Sequence, residues 1–176
     1  GGLYSSTSTT VILARKSREA DSDTNHYVAA IIIATAMMYL RILILAAIFN
    51  MVLFKILLPW FLLLILLSIA LAIFIYIKRK DKKMVQKIIS IDKNPLEFKV
   101  AIIFTLLFIA LSFITYYAIN EFGLNGLNIL SFLVGFTDID PFLLTLFQGS
   151  GYDVSTVALA GASMQAIISN NIAKAF

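Results

Sequence analysis

The sequence predicts an all-α integral membrane protein, built as a helical bundle, and three observations support this class. Hydrophobic residues make up 60% of the 176 positions, and only 14% are charged. The mean hydropathy of +0.93 lies far above the norm for soluble domains. Apolar runs of about 20 residues recur, each long enough to cross a hydrocarbon core of roughly 30 Å. We therefore expect a multi-pass protein of the cell membrane, with the lipid bilayer as its surroundings.

Five segments are expected to be helical, separated by short polar breaks. Their predicted bounds are about 27–49, 56–77, 100–119, 126–147 and 154–176. Pro59 falls in the first turn of the second helix, where proline is tolerated because that N–H has no helical partner. Short external turns are expected at 50–55 and 120–125.

The distribution of basic residues predicts the orientation. Eleven of the 14 lysines and arginines lie within residues 15–26 and 78–99. Because cytoplasmic loops carry an excess of Lys and Arg, both loops are predicted to be cytoplasmic. The lysine-rich run from Lys78 is explained by this topology alone, and binding to anionic lipid headgroups is the additional function it allows.

Two parts of the chain resemble each other at an offset of 133 residues. The segment Gly2–Thr7 corresponds to Gly135–Asp140, and the same offset takes Arg41 to Lys174. In each pair of positions the polar groups interrupt hydrophobic sequence. Matching breaks and cations of this kind predict internal repeats, as in many transporters.

The predicted architecture is one transmembrane domain over residues 1–176, part of a longer chain. Two parallel repeats, about 1–49 and 100–176, would flank a linking helix at 56–77, and each repeat would contain a broken helix. The span at 100–119 has no counterpart in the chain, so we expect an equivalent helix before Gly1. A re-entrant hairpin over 126–148 is the alternative to a crossing segment.

The polar residues inside the fourth apolar stretch form the first part of a candidate site. Asp138 lies near the centre of a 22-residue apolar stretch, where a carboxylate is costly unless it is paired, protonated or hydrated. Asp140 followed by Pro141 predicts a helix start, whose partly positive N-terminus faces the same place. Thr137 adjoins them. The corresponding neutral groups of the first repeat are Ser5, Ser6 and Thr7.

The last segment and the first span supply the remaining candidates. Small or polar residues step by four along one face of the last segment: Ala158, Ala162, Ala166, Asn170 and Lys174. Asn170 and Asn171 are candidate ligands, while Arg41 and Lys174 are candidate charge partners of the aspartates. Two interpretations remain open. The breaks form an ion- or substrate-sized pocket, or the aspartates only cap a helix and pair with the two cations.

Other chemistry is disfavoured by composition. With one histidine and no cysteine, the chain has no thiol catalyst, disulfide framework or conventional zinc cluster. An aspartyl protease needs two aspartates on facing helices, whereas Asp138 and Asp140 lie on one short break. We therefore predict no enzyme, no nucleic-acid partner and no cofactor beyond a bound cation, whose identity the sequence leaves open.

Several segments together resemble one known membrane domain. They are Gly-Gly-Leu-Tyr-Ser-Ser-Thr at 1–7, Ala-Arg at 14–15, Ala-Thr-Ala-Met-Met-Tyr-Leu-Arg at 34–41, Gly-Phe-Thr-Asp-Ile-Asp at 135–140, and Asn170 or Asn171 with Lys174. The chain resembles the domain of unknown function that follows the MgtC/SapB domain in bacterial and archaeal proteins. Pro141 stands where that domain usually has a small residue. The resemblance implies an upstream MgtC/SapB partner domain and a context of magnesium homeostasis or membrane stress.

Two functions are compatible with these sequence features. In the first, the protein is a secondary transporter or ion-translocating domain, with a polar site at the membrane midplane between two broken helices. The substrate would be a cation or proton if the aspartates dominate, or an anion if the basic pair does. In the second, it is a structural or regulatory module that senses lipid or binds a partner, and its buried charges only lock the helices together. Homo-oligomerisation is compatible with both.

Overall fold

The computed structural model describes residues 9–10, 12–14, 24–77, 97–149 and 152–175, and every regular element in these ranges is a helix. The five principal helices are α1 (Thr24–Phe49), α2 (Met51–Ile77), α3 (Glu97–Val134), α4 (Ile139–Gln148) and α5 (Thr156–Ala175). Three segments are long and apolar enough to cross a membrane: Tyr27–Phe49, Met51–Ile77 and Ala101–Gly135. Within the described residues the regular structure is therefore all helical, with three helices compatible with a membrane, as the composition predicts.

A single residue, Asn50, separates α1 from α2. Its side-chain Oδ1 accepts a hydrogen bond from the Leu53 N–H at 3.1 Å, and its carbonyl oxygen accepts one from Phe54 at 2.9 Å. Asparagine is among the best residues for this capping role, because its side chain satisfies an otherwise unpaired N–H of the first turn. The predicted turn at 50–55 and the predicted helix start at Ile56 are therefore wrong.

The earlier start of α2 changes the position of Pro59. Proline occupies the ninth position of this helix instead of its first turn. It therefore removes an interior hydrogen bond, the one that its N–H would have donated to the Lys55 carbonyl. The side chains of both residues are exposed. The Lys55 carbonyl that loses its hydrogen-bond donor therefore lies on the exposed face of α2.

Helices α1 and α2 form an antiparallel hairpin. The Tyr39 and Phe61 rings meet edge to face with their centroids 5.9 Å apart. The two residues are equally far from Asn50 along the chain, which is the pairing expected when one helix reverses directly into the next. Phe61, Leu57 and Leu53 are the buried residues of α2 nearest this turn, while most of the helix is exposed apolar surface.

Helix α3 is sharply bent at Gly123. This residue has φ 57° and ψ −137°, which is not a helical conformation. A β-carbon added to Gly126 would lie 2.2 Å from the Ala118 carbonyl oxygen, eight residues earlier. Residues eight apart in an unbroken helix are separated by about 12 Å along its axis. The two arms of α3 must therefore fold toward each other, at the place where the sequence predicts a turn over 120–125.

We expect Gly123→Ala to destabilise the protein by about 1–2 kcal/mol. Its φ and ψ are strained for any residue with a β-carbon, although no atom lies within 4 Å of the added carbon. Thermal unfolding in detergent measures the effect. Gly161→Ala, at an open helical position of α5, is the matched control and should be neutral or mildly stabilising. Equal stability of the two variants would contradict the prediction.

The short helix α4 lies at the centre of the bundle. It packs against α1, α3 and α5, and most of its residues are buried, including Phe142, Leu143 and Leu146. On the α3 side, the Ser112 and Thr145 hydroxyls are hydrogen-bonded at 3.1 Å. A helix of ten residues is too short to cross a bilayer alone. Its position is therefore determined by the helices around it.

Other predictions concern the ends of these elements. The start of α1 at Thr24 and of α3 at Glu97 shortens both predicted cytoplasmic loops, and residues 15–23 and 78–96 lie outside the described residues. The last helix agrees closely with its prediction. The start of the predicted first repeat, about 1–49, also lies outside the described residues, so the repeats, the domain division and the orientation stay predictions.

Candidate functional site

The site is built around residues 135–138, which connect α3 to α4 without helical structure. Asp138 is the N-cap of α4, with φ −84° and ψ 112°, and its Oδ1 accepts a hydrogen bond from the Asp140 N–H at 3.2 Å. The prediction that Asp140 is the N-cap is wrong by two residues. Pro141 becomes the third helical residue, where its missing N–H is still one that would have had no helical partner.

Asn170 on α5 connects the last helix to this segment. Its Nδ2 donates to the Gly135 carbonyl at 3.0 Å and to the Thr137 carbonyl at 3.2 Å. Because a carbonyl only accepts hydrogen bonds, these two contacts determine which end of the amide faces the segment. Asn170 is 3% exposed, and within the described residues no donor reaches its Oδ1.

Close packing between Gly135 and α5 holds the segment in register. A β-carbon on Gly135 would lie 2.3 Å from the Ser169 Cβ and 2.8 Å from the Ala166 carbonyl oxygen. The Ser169 hydroxyl also donates to the Phe132 carbonyl at 2.8 Å, near the end of α3. The predicted small face of α5 is confirmed over its middle, where Ala162, Ala166 and Asn170 are buried, while Ala158 and Lys174 are half-buried.

The first span brings a positive charge to the start of α4. The Arg41 guanidinium on α1 forms a salt bridge and a hydrogen bond with the Asp140 Oδ2. The two side chains are 25% and 17% exposed. No hydrogen-bond donor among the described residues reaches the other oxygen, Asp140 Oδ1. The salt bridge therefore engages only one oxygen of the carboxylate.

Lys174 and Asn171 extend the site along α5 toward α1. The Lys174 Nζ lies 3.1 Å from the Met38 sulfur, and the ammonium interacts electrostatically with Asp140, Arg41 and Asp138. The Asn171 Nδ2 lies 2.7 Å from the Tyr39 hydroxyl. Sequence reasoning missed Met38 and Tyr39 as site residues. The available signal was their position, since Met38 precedes Arg41 by three residues and therefore shares its helix face.

The structure thus brings most of the predicted site residues together, in what we call the polar cluster: Thr137, Asp138, Asp140, Arg41, Asn170, Asn171 and Lys174. Thr137 and Asp138 are exposed, and the Thr137 hydroxyl donates to the Val134 carbonyl at 2.9 Å. Ser5, Ser6 and Thr7 lie outside the described residues. The described residues contain no group of three His, Cys, Asp or Glu side chains placed to hold a metal. A cation bound here would therefore be coordinated by side-chain amide and backbone carbonyl oxygens together with oxygens of at most two carboxylates, Asp138 and Asp140.

An all-helical membrane protein with a charged, hydrogen-bonded cluster around a short central helix is the class that this fold and site define. Within that class, the profile of the family described as Domain of unknown function (DUF4010) matches residues 1–176, so the chain belongs to this family. An uncharacterized protein from Aquifex aeolicus (strain VF5) is 32% identical over 183 residues, covering 99% of this chain and 76% of the relative. No solved structure matches. The link to an MgtC/SapB domain stays a prediction.

Proposed function

We propose that this chain is an ion-transport domain that binds a cation at the polar cluster. The observation that carries the proposal is a set of three buried acceptor oxygens in the cluster, to which the described residues supply no donor: Asp140 Oδ1, Asn170 Oδ1 and Asn171 Oδ1. Buried polar atoms in proteins are normally hydrogen-bonded, and exceptions within a membrane are costly and often functional. Oxygen atoms of this kind are suitable ligands for a hard cation.

The surroundings of these oxygens favour a cation over an anion. The buried Asp140 Oδ1 and Asn170 Oδ1 are acceptors, which suit a cation, and the Asn170 amide group already donates to two carbonyls. The exposed side chains of Thr137 and Asp138 provide an approach to the cluster from the connecting segment. A module whose charges only lock the helices would have its carboxylates dry and fully paired.

In this proposal, residues 135–138 are the break of a broken membrane helix, and the parallel repeats about 1–49 and 100–176 surround the site. The support for the repeats is that Arg41 and Lys174, which are 133 residues apart, interact electrostatically with each other and with the same carboxylate. Residues at equivalent positions of two repeats meet in this way when they lie near the axis that relates the repeats.

A structural or regulatory module is the second candidate, and one observation favours it. The salt bridge between Arg41 and Asp140 and the hydrogen bonds from Asn170 connect α1 to α4 and α5 to the segment that precedes α4. Contacts of this kind lock helix packing without any ligand. An upstream MgtC/SapB-type domain, the bilayer itself or a second copy would then be the partner that the module serves.

Thermal unfolding of the purified protein across a panel of monovalent and divalent cations separates the two candidates. A cation at about 100 times its dissociation constant should stabilise the folded state by roughly 2.7 kcal/mol. We expect this stabilisation to be lost in Asp140→Asn. It should be retained in Asp153→Asn, a matched control at an exposed position with the same chemical change.

The opposite result would be a flat response of the wild type to every cation. In that case Asp140→Asn would be less stable than the wild type and equally insensitive to cations, and the structural module would be favoured. If a cation does stabilise the protein, uptake of that cation into proteoliposomes tests translocation itself. Asp140→Asn should abolish the uptake and Asp153→Asn should preserve it.

A further inference from the structure

One buried hydroxyl group of the bundle differs from its neighbours in its hydrogen bonding. The Ser131, Thr145 and Ser163 hydroxyls each donate to the carbonyl oxygen four residues earlier in their own helix, a common partner for serine and threonine inside helices. The Thr115 side chain on α3 is 0% exposed, yet the described residues supply no partner for its hydroxyl, not even that carbonyl. This hydroxyl therefore needs a partner that its own helix does not provide.

Thr115 lies between two contacts that α3 makes. Three residues later, the Ala118 carbonyl oxygen meets Gly126, where the second arm of α3 folds back. Three residues earlier, the Ser112 hydroxyl is hydrogen-bonded to Thr145 of α4 at 3.1 Å. Residues three apart in a helix are neighbours on its surface, rotated by about 60° from each other. Thr115 therefore lies in the interior angle between the second arm of α3 and α4.

The hydroxyl pair beside Thr115 has too few hydrogen atoms for its contacts. Ser112 Oγ lies 2.8 Å from the Phe108 carbonyl oxygen, and Thr145 Oγ1 lies 2.9 Å from the Pro141 carbonyl oxygen. The two hydroxyls also contact each other. Each hydroxyl donates only one hydrogen, so these three contacts share two hydrogens. One contact therefore lacks a donor in every arrangement of the pair.

We propose that Ser112, Thr115 and Thr145 form a water-binding site between α3 and α4, which we call the hydroxyl site. A water molecule accepts the hydrogen of Thr115 and donates to the oxygens of the neighbouring pair, close to the three hydrogen bonds that buried waters usually make. The β-carbons of Ser112 and Thr115 are about 5–6 Å apart, a gap that two hydrogen bonds of about 2.8 Å each can bridge. A cation would leave the Thr115 hydrogen without an acceptor.

The hydroxyl site is separate from the polar cluster, although the same short helix contributes to both. Thr145 follows Asp140 by five residues, which is about 7.5 Å along the axis of α4. Polar groups inside a membrane usually face the bundle interior or water. A water at the hydroxyl site gives α4 a hydrated contact with α3, in addition to the charged contacts at its start. The proposal does not depend on a cation at the polar cluster.

Contact between water and the Thr145 methyl group tests the proposal. The full chain is prepared with carbon-13 in its threonine methyl groups and reconstituted into lipid nanodiscs, and NMR measures magnetization transfer from water to each methyl group. We expect transfer to Thr115 and Thr145 in the wild type, although both side chains are buried. Thr115→Val should lose most of the transfer to Thr145. Thr115→Ser keeps the hydroxyl and should retain this transfer.

The sign of the stability change in Thr115→Val gives an independent measurement. A dry, unpaired hydroxyl is costly to bury, so replacing it with a methyl group would raise the thermal unfolding midpoint. A hydroxyl that holds a water should instead give a midpoint lower by several degrees, because the water and the hydroxyl pair lose a partner. Thr105→Val is the matched control on α3, since the Thr105 hydroxyl is exposed and donates to the Ala101 carbonyl. Its midpoint should change little.

The two measurements together decide whether the hydroxyl site holds water. Transfer to Thr145 that disappears in Thr115→Val, with a lower unfolding midpoint, supports it. A midpoint raised by Thr115→Val, or no transfer to the Thr145 methyl group of the wild type, overturns it. Should Thr115→Val fail to fold, loss of the transfer in Thr115→Ser overturns it equally. These readouts need no added cation, so failure here leaves the proposed cation site untouched, and the reverse also holds.

Discussion

Replacing Asp140 with asparagine is expected to destabilise the folded protein by about 3 kcal/mol. The substitution preserves the size of the side chain but removes the negative charge that Arg41 contacts. Removing one partner of this partly buried ion pair leaves the other charge uncompensated, which costs more than the pair itself contributes. The effect should be large here because Arg41 lies within a membrane-spanning helix, where an unpaired charge is expensive.

A double-mutant cycle with Arg41→Gln measures the coupling between the two side chains. Reversible unfolding in mixed micelles should show that the double variant loses at least about 1 kcal/mol less than the sum of the single variants. Asp153→Asn, an exposed acid outside the polar cluster, should change stability by no more than about 0.5 kcal/mol. If Asp140→Asn and Asp153→Asn were equally stable, the salt bridge would not hold the helices together.

Gly135→Ala should also destabilise the protein by roughly 3 kcal/mol, at the upper end of the usual cost of overpacking. The new methyl group would lie 2.3 Å from the Ser169 Cβ and 2.8 Å from the Ala166 carbonyl oxygen. The serine side chain has no freedom at its Cβ, and the carbonyl oxygen belongs to the backbone of α5. Relief of the overlap therefore requires the helix to move.

The same movement would weaken the site. Asn170 directly follows Ser169 and donates to the Gly135 and Thr137 carbonyls. A displaced α5 therefore cannot keep both of these hydrogen bonds. Gly161→Ala is the matched control because no atom lies within 4 Å of its added carbon. Thermal unfolding midpoints of the two variants should differ by roughly 10 °C if each kcal/mol shifts the midpoint by about 4 °C. Similar midpoints would show that α5 and the connecting segment are not in close contact.

The class of the fold was predictable, while several helix boundaries were not. The length of an apolar run determines whether it can cross a bilayer, and that length can be read directly from the local sequence. Asn50 shows where local sequence is not enough to locate a helix boundary. The polar residues Asn50 and Lys55 predict a turn of six residues, but only Asn50 separates α1 from α2. Side-chain capping by Asn50 made the longer turn unnecessary. In the same way, capping by Asp138 placed the start of α4 before the Asp140-Pro141 pair.

The structure places seven of the predicted site residues near one another, while Ser5, Ser6 and Thr7 lie outside the described residues and their role stays a prediction. Polar residues are rare inside the apolar stretches of this chain, so the few that occur there can be selected from the sequence: Thr137, Asp138, Asp140, Arg41, Asn170, Asn171 and Lys174. Met38 and Tyr39 carried no such signal, because a methionine and a tyrosine are ordinary residues of a membrane helix. They became part of the site only through contacts with α5 that span 136 and 132 residues of chain.

The sequence by itself determined that this is an all-helical membrane protein, which residues are too polar for lipid, and which of them share a helix face. Helical periodicity and the cost of charge in hydrocarbon are enough for these conclusions. Only the tertiary structure decided that Arg41 contacts Asp140, and that the Asn170 amide is oriented by two backbone carbonyls. These partners belong to different helices, and which helices meet is determined by packing of the whole bundle.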